Sequence, residues 1–250
     1  MSCRLAIDAS WLVGKQTSIA TYTEELVECL IGEACEPVLL APCIEPGSRL
    51  ERFLAAHPEL RVLTPGDHPS HDSDLKKMAR WYQITIPRLV AGGAFDVILS
   101  MYHQIPIFGI EPGTARISII HDCCGLRPDC GYRTFGRAWL RHWFNLKSAA
   151  QCADRLIPIS GATRAEYLRA FPATSHKISE PIYNQVSVRT LDESEVNPEL
   201  TRLGLARYGY ILCFPIPGKR KGTDLALRAY STYRLEGGTL PVVMIGGDQA

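Results

Sequence analysis

The stretch Lys219-Arg-Lys-Gly222 concentrates much of the chemistry that this sequence offers. Three cations stand directly before a glycine, and a helical pattern follows. Ahead of them the apolar run Tyr210 to Phe214 suits a buried strand, and Pro215, Pro217 and Gly218 turn the chain. Thr223 and Asp224 are residue types that cap a helix. The uncapped N–H groups of its first turn and the mobile cations would then face one place, an arrangement that suits a phosphate. A solvated basic turn is the other reading of the same residues. A second set lies mid-chain, where the apolar run Ala115 to Ile120 ends in His121-Asp122, followed by Cys123, Cys124 and Cys130. These side chains include zinc-ligand types, but adjacent cysteines rarely hold one ion and no second cysteine pair completes a set. A buried histidine satisfied by its neighbours is the plainer alternative.

The elements that must position these residues alternate. Leu5-Ala-Ile-Asp8 reads as a strand, and apolar spacing turns helical at Ile19, Tyr22, Leu26 and Leu30. Strands follow at Pro37 to Ala41, Leu60 to Leu63, Phe95 to Ser100, Ala115 to Ile120 and Arg155 to Ile159. Helices are expected over Arg49 to Ala56, from Asp74 through Leu89 with Pro87 as a kink, over Phe135 to Ala150, and after Ser160 as its cap. Gly92-Gly93 should end the helix that contains Pro87. Lys177 to Ile182 extends again. Several strands are apolar on both faces, which predicts an α/β fold: a Rossmann-like parallel sheet covered by helices on both sides. Ligands of such sheets bind past the carboxyl ends of the strands. Asp8, Ser10, Ser100, Tyr102, His121, Asp122 and Ser160 all fall there.

Composition sets the bounds. Of 250 residues, 46% are apolar and 21% charged, as in a globular protein. A net charge of +1 provides no global field toward nucleic acid, so none is expected as a partner and anion binding must be local. The 9 cysteines are odd in number and scattered, without a Cys-x-x-Cys pair, and read as free thiols. No secretory leader and no membrane-spanning run is visible, so a cytoplasmic location is expected. Residues 188–208 are acidic and polar without a clear period, and read as a linker. It divides residues 1–187 from a second Rossmann-like unit at 209–250, of which a single strand–helix–strand is present.

The order of these motifs resembles the retaining glycosyltransferases built from two Rossmann-like domains, the GT-B class, and within it the large family 4 or group 1 type. Arg4 to Asp8 with Ala20 to Leu26 is similar to the family's first strand, acceptor loop and first helix. Ile117-Ser-Ile-Ile-His-Asp122 is similar to its strand ending in His-Asp. Ala153 to Ser160, with Thr163-Arg164, is similar to its strand and serine-capped helix. Ile178 to Asn184 is similar to the stretch before the domain crossing, and Tyr210 to Leu225 to the opening of the donor domain. The resemblance implies a transferase that moves a hexose-type sugar from a nucleotide-diphosphate sugar to a glycan or lipid-linked acceptor, with retention and without a metal or other cofactor.

It also implies roles. Lys221 would bind the donor diphosphate, helped by Lys219, Arg220 and Gly222. His121 and Asp122 would line the reacting centre, Ser160 the cleft, and Gly14, Thr17 and Ser18 the acceptor loop. The sequence departs from the family pattern at three points. Thr17, Ser18 and Ala20 stand where glycines are expected, and Pro215 and Ile216 where an arginine is. The chain reaches Ala250 before the donor domain's paired glutamates. A second expectation therefore stands beside the first: a truncated or degenerate transferase that binds a glycan or pairs with another chain.

Arg127, Arg133, Arg137, Arg141 and Lys147 face a single acid, Asp129, with Trp139, Trp143 and Phe144 among them. Such a segment suits peripheral contact with an anionic membrane surface. An ordinary surface helix with its aromatics turned inward accounts for the same pattern.

Overall fold

The computed structural model describes residues 2–13, 17–66, 78–127, 136–184, 192–214 and 222–245. The chain forms two compact units. One comprises Met1–Cys123 with Leu140–Gln185, the other Cys124–Trp139 with Val186–Ala250.

The first unit holds a six-stranded parallel sheet in the order β3-β2-β1-β4-β5-β6. Its strands are β1 (Cys3–Asp8), β2 (Cys35–Leu40), β3 (Arg61–Leu63), β4 (Val97–Ser100), β5 (Ala115–Ile120) and β6 (Arg155–Pro158). The helices are α1 (Ser18–Leu30), α2 (Arg49–Ala56), α3 (Ile86–Val90), α4 (Arg137–Cys152), which begins in the second unit's segment, and α5 (Gly161–Ala170). Alternation along the strands feeds two cores. Leu5, Ile7, Leu39, Leu99 and Ile119 pack on one face with Tyr22 and Val27 of α1 and Leu50 and Phe53 of α2. Ala6, Val38, Leu40 and Ile98 pack on the other with Trp81, Tyr82, Ile86 and Val90. The central strands β1, β2 and β4 thus bury both faces, as a parallel sheet requires. Residues 177–182 run beside β6, joined by Leu156 N–H to Lys177 O (3.0 Å) and Ser179 N–H to Leu156 O (2.9 Å).

Three expectations change. The helix expected to open at Asp74 starts outside the described residues. Its described part runs without a break over residues 78–90, with a π-helical turn, Trp81–Thr85, directly ahead of Pro87 in α3. A proline inside a continuous helix removes an intrahelical bond, and the irregularity of the ladder falls beside it. In the second unit, helix α6 (Glu193–Arg202) occupies the stretch read as linker and carries Pro198 inside it. The strand read as buried is β7 (Ile211–Cys213), paired in parallel with β8 (Val242–Met244), and Leu212 is 45% exposed. Between them runs α7 (Thr223–Leu235), none of whose side chains is buried.

One buried carboxylate ties the first unit's layers together. Asp8 ends β1 with no exposure. It accepts from Trp81 Nε1 (3.0 Å), from the Tyr82 hydroxyl and from the Ser10 backbone N–H (3.1 Å). The π-helical turn presents Trp81 and Tyr82 side by side to this one acceptor. Burial raises the Asp8 carboxyl above its ordinary value, while the bonds from Tyr82, Ser10 and Trp81 pull it down. The folded chain therefore holds this proton more readily than the unfolded chain. The resulting stabilisation is full below the ordinary carboxylate range and is lost as pH rises through the folded value. Urea unfolding of the wild type and Asp8→Asn between about pH 4 and 8 should show the wild type's relative advantage shrinking as pH rises. A difference that is flat or grows with pH contradicts this account.

Candidate functional site

The strand order reverses between β1 and β4, and in doubly wound sheets ligands bind at the carboxyl edge beside such a reversal. The residues just past β1, β4, β5 and β6 lie along this edge. His121 follows β5 on the side of α1. Its Nε2 lies 2.8 Å from the Met101 carbonyl oxygen, past the end of β4. A carbonyl only accepts, so Nε2 carries the hydrogen and Nδ1 keeps its lone pair. The ring edge meets Tyr22 of α1 at 5.5 Å between centroids and 90°, and Tyr102 lies at 5.9 Å. Burial lowers the His121 pKa from its ordinary value, against the Met101 bond and the Asp122 charge, which raise it. His121 is thus a neutral imidazole with one fixed donor and one fixed acceptor. It can take a hydrogen bond from a hydroxyl.

Asp122 follows with its side chain 37% exposed and Oδ1 3.8 Å from Nε2 of His142 on α4. The backbone of the His-Asp pair is anchored as well. The Thr163 hydroxyl of α5 donates to the His121 carbonyl (3.1 Å). Ser160 caps α5 by accepting from Thr163 N–H (3.1 Å), and its hydroxyl lies 2.9 Å from Thr163 Oγ1. Ser160 is therefore engaged within its own helix start, one residue removed from His121. Thr17 likewise spends its hydroxyl as the cap of α1, accepting from Ala20 N–H (3.2 Å). Ser18 is exposed at the first position of α1. Gly14 lies outside the described residues.

In the second unit Lys219, Arg220 and Lys221 also lie outside the described residues. Gly222 stands at the start of α7 with φ 65° and ψ 25°, a left-handed conformation natural to glycine. It occupies the cap position expected of Thr223 or Asp224, so no side chain caps α7. A Cβ at Gly222 would meet nothing within 4 Å. Asp224 instead sits in the first turn, 3.6 Å from Arg228. Among the described residues no three His, Cys, Asp or Glu side chains are grouped to hold a metal ion. Cys130 of the cysteine set is not among them.

Met101, His103 and His142 escape a reading of motifs, whereas Thr163 and Tyr22 lie within the motifs read from the sequence but without an assigned role. Met101 acts through its backbone, which no side-chain pattern reveals. His142 had a signal: His142, Leu146 and Ala149 are the buried stripe of α4 at helical spacing.

A doubly wound parallel sheet with polar groups gathered at its switch point defines a Rossmann-like domain. Residues 17–178 match the family described as glycosyl transferase 4-like domain, and the chain belongs to that family. No curated protein sequence matches it. Solved structures share the fold at low identity. Anabaena Alr3699/HepE in complex with UDP-glucose aligns at TM-score 0.56 and 12% identity, over 98% of this chain and 70% of its own. LpCGTa in complex with UDP aligns at 0.56 and 11%, over 99% and 71%. A UDP-N-acetylglucosamine 2-epimerase aligns at 0.55 and 11%, over 98% and 63%. The last shows that this fold also serves chemistry other than transfer.

The tautomer of His121 is directly measurable. Long-range ¹H–¹⁵N spectra of the full chain at neutral pH should show His121 neutral with Nε2 protonated, titrating below an ordinary histidine. An Nδ1-protonated ring, or an imidazolium at neutral pH, contradicts the assignment.

Proposed function

We propose that this chain is a glycosyltransferase using a nucleotide-diphosphate sugar, and that it moves a hexose-type sugar to a glycan or lipid-linked acceptor with retention. The observation that carries this reading is the family match across residues 17–178, with His121 held neutral and oriented at the carboxyl edge of the sheet. The UDP and UDP-glucose complexes of HepE support the choice of donor class.

Each group has a task in the reaction. The bond between the anomeric carbon and the diphosphate oxygen breaks, and negative charge grows on the leaving diphosphate. Lys221, with Lys219, Arg220 and the start of α7 at Gly222, offsets that charge, so no metal is required. Loss of one such contact typically costs about 10²–10³ in rate. In the first unit His121 Nδ1 accepts from a hydroxyl of the sugar and orients it, and Asp122 lines the reacting centre beside it. The acceptor binds along Gly14, Thr17 and Ser18. Its hydroxyl forms the new bond on the face that the diphosphate leaves, and gives its proton to the departing diphosphate oxygen.

The test uses the full chain, with UDP-glucose as the donor probe. Calorimetry should show UDP binding that Lys221→Ala weakens about tenfold or more, with UDP release falling by about 10²–10³. EDTA should leave release unchanged, and the anomeric configuration of the product should match the donor. Equal binding and turnover in Lys221→Ala overturns the role of Lys221. Absence of UDP binding by the wild type favours the degenerate reading.

The face of α4 bears on the acceptor. Leu140 and Phe144, one turn apart, are 47% and 53% exposed, and Arg141 lies between them. The Lys147 ammonium sits 4.4 Å over the ring of half-buried Trp143. His142, Leu146 and Ala149 occupy the buried side. Exposed apolar side chains with cations beside them support peripheral contact with an anionic surface, which suits a lipid-linked acceptor. The described helices include none long and apolar enough to cross a membrane. Sedimentation with anionic phospholipid vesicles should be salt-sensitive and weakened by Phe144→Ser. No binding at low salt ends the membrane proposal.

A further inference from the structure

His103 is the anomaly of the first unit. It lies just past β4 with no exposure, and neither ring nitrogen finds a hydrogen-bond partner among the described residues. Its ring lies 3.6 Å from that of Tyr102 and meets the ring of His142 edge-on, at 4.6 Å between centroids and 81°. His142, itself buried, then points Nε2 toward Asp122 Oδ1 at 3.8 Å. A line of three side chains therefore runs from the core to the half-exposed carboxylate next to His121. Each comes from a different place: the segment after β4, helix α4 and the end of β5.

We infer that His142 is a positioning residue for Asp122, and that His103 is the uncharged wall that sets the orientation of the His142 ring. The inference rests on the proposal above that Asp122 lines the reacting centre. The physical case has two parts. Asp122 is the carboxylate at one end of the line, so a proton taken up by the imidazole pair gains most on His142, the ring that faces it. His103 does not compete. Burial pushes its pKa well below the ordinary value, and the neighbouring His142 and His121 push it the same way. Second, the edge contact with His103 restricts rotation of the His142 ring, so Nε2 stays 3.8 Å from Asp122 Oδ1, an ion-pair rather than a hydrogen-bond separation, and biases the carboxylate toward one rotamer when the ring is charged. His121 is fixed independently by Met101. The two adjacent site residues are thus held by partners from two different elements, which keeps their spacing constant.

Among the described residues, the titratable groups on the surrounding elements are Tyr102 past β4, His121, Cys123 and Cys124 past β5, and Glu166 and Tyr167 on α5, which also carries Arg164 and Arg169. The Tyr167 hydroxyl is committed to the Leu146 carbonyl (2.8 Å). On α4 itself Arg141 is exposed and Lys147 lies over Trp143. Asp122 is the acid that faces the His142 ring, at 3.8 Å.

Two measurements on the full chain test the inference. In the first, the His142 ring is titrated by NMR in the wild type and in Asp122→Asn. The midpoint should fall by about one pH unit when the carboxylate is lost. An unchanged midpoint overturns the pairing, and this readout needs no turnover. In the second, UDP release from UDP-glucose is compared in His142→Leu and His142→Gln, with circular dichroism to establish folding. The leucine variant should lose about tenfold or more in kcat with little change in donor KM. The glutamine variant, whose amide reaches the place of Nε2, should recover most of it. A folded leucine variant with unchanged kcat, or equal loss in both variants, overturns the positioning role. If the wild type does not turn over UDP-glucose, the proposed donor fails for that sugar, and the titration decides the inference alone.

Discussion

The reversal of strand order at β1 is the constraint on which the rest of the first unit depends. From β1 the chain steps outward through β2 and β3, then returns to begin again at β4 on the other side. The segments leaving β1 and β4 diverge, and Asp8, Ser100 and His103 are buried along the carboxyl edge between them. Polar groups stranded there need partners that water does not supply. The chain provides them from remote elements. Asp8 takes Trp81 and Tyr82, the Met101 carbonyl takes His121, and the His121 carbonyl takes Thr163. Every one of these bonds joins segments far apart in sequence. Completing the fold therefore also orients the site.

Much of that fold was legible from local pattern. Alternation of apolar strands and amphipathic helices predicted the parallel sheet, because a strand buried on both faces must be apolar throughout. All six of its strands were found, with boundaries off by at most two residues. The failures have physical causes. Trp81 to Thr85 form a π-helical turn, whose spacing departs from 3.6 residues per turn and so blurs the period around Pro87. Helix α6 is acidic, exposed and interrupted by Pro198, so it lacks the apolar stripe by which helices are recognised. The run Ile211 to Cys213 is apolar but substantially exposed, and hydrophobicity alone cannot distinguish that from burial.

The site was legible only in part. His121-Asp122 stands out because a histidine and an acid directly after a β-strand are costly unless engaged. The capping role of Ser160 was read from residue type and position and is observed, whereas that of Thr17, read only as part of the acceptor loop, was not foreseen. What escaped is whatever depends on tertiary placement. The tautomer of His121 is decided by a backbone carbonyl 20 residues away, and the neighbour of Asp122 comes from a helix that began as a candidate for membrane contact. His142 and Leu140 lie on the same helix yet face opposite environments. A single composition-based reading of the segment could not separate the inward role from the outward one.

Charge then sets a division of labour. Burial moves the titratable groups of the first unit's edge toward neutrality: His121 and His103 downward, Asp8 upward. Neutral groups of this kind orient hydroxyls well, because each donor and acceptor is fixed and no counter-ion is drawn in. They cannot offset the charge that grows on a departing diphosphate. A transferase built this way needs its cations elsewhere, and the sequence concentrates three of them in Lys219, Arg220 and Lys221. In the proposed role, an imidazolium at His121 would lose the lone pair that is to accept a sugar hydroxyl. The desolvation that makes His121 hard to protonate is therefore what suits it to hold a hydroxyl rather than an anion.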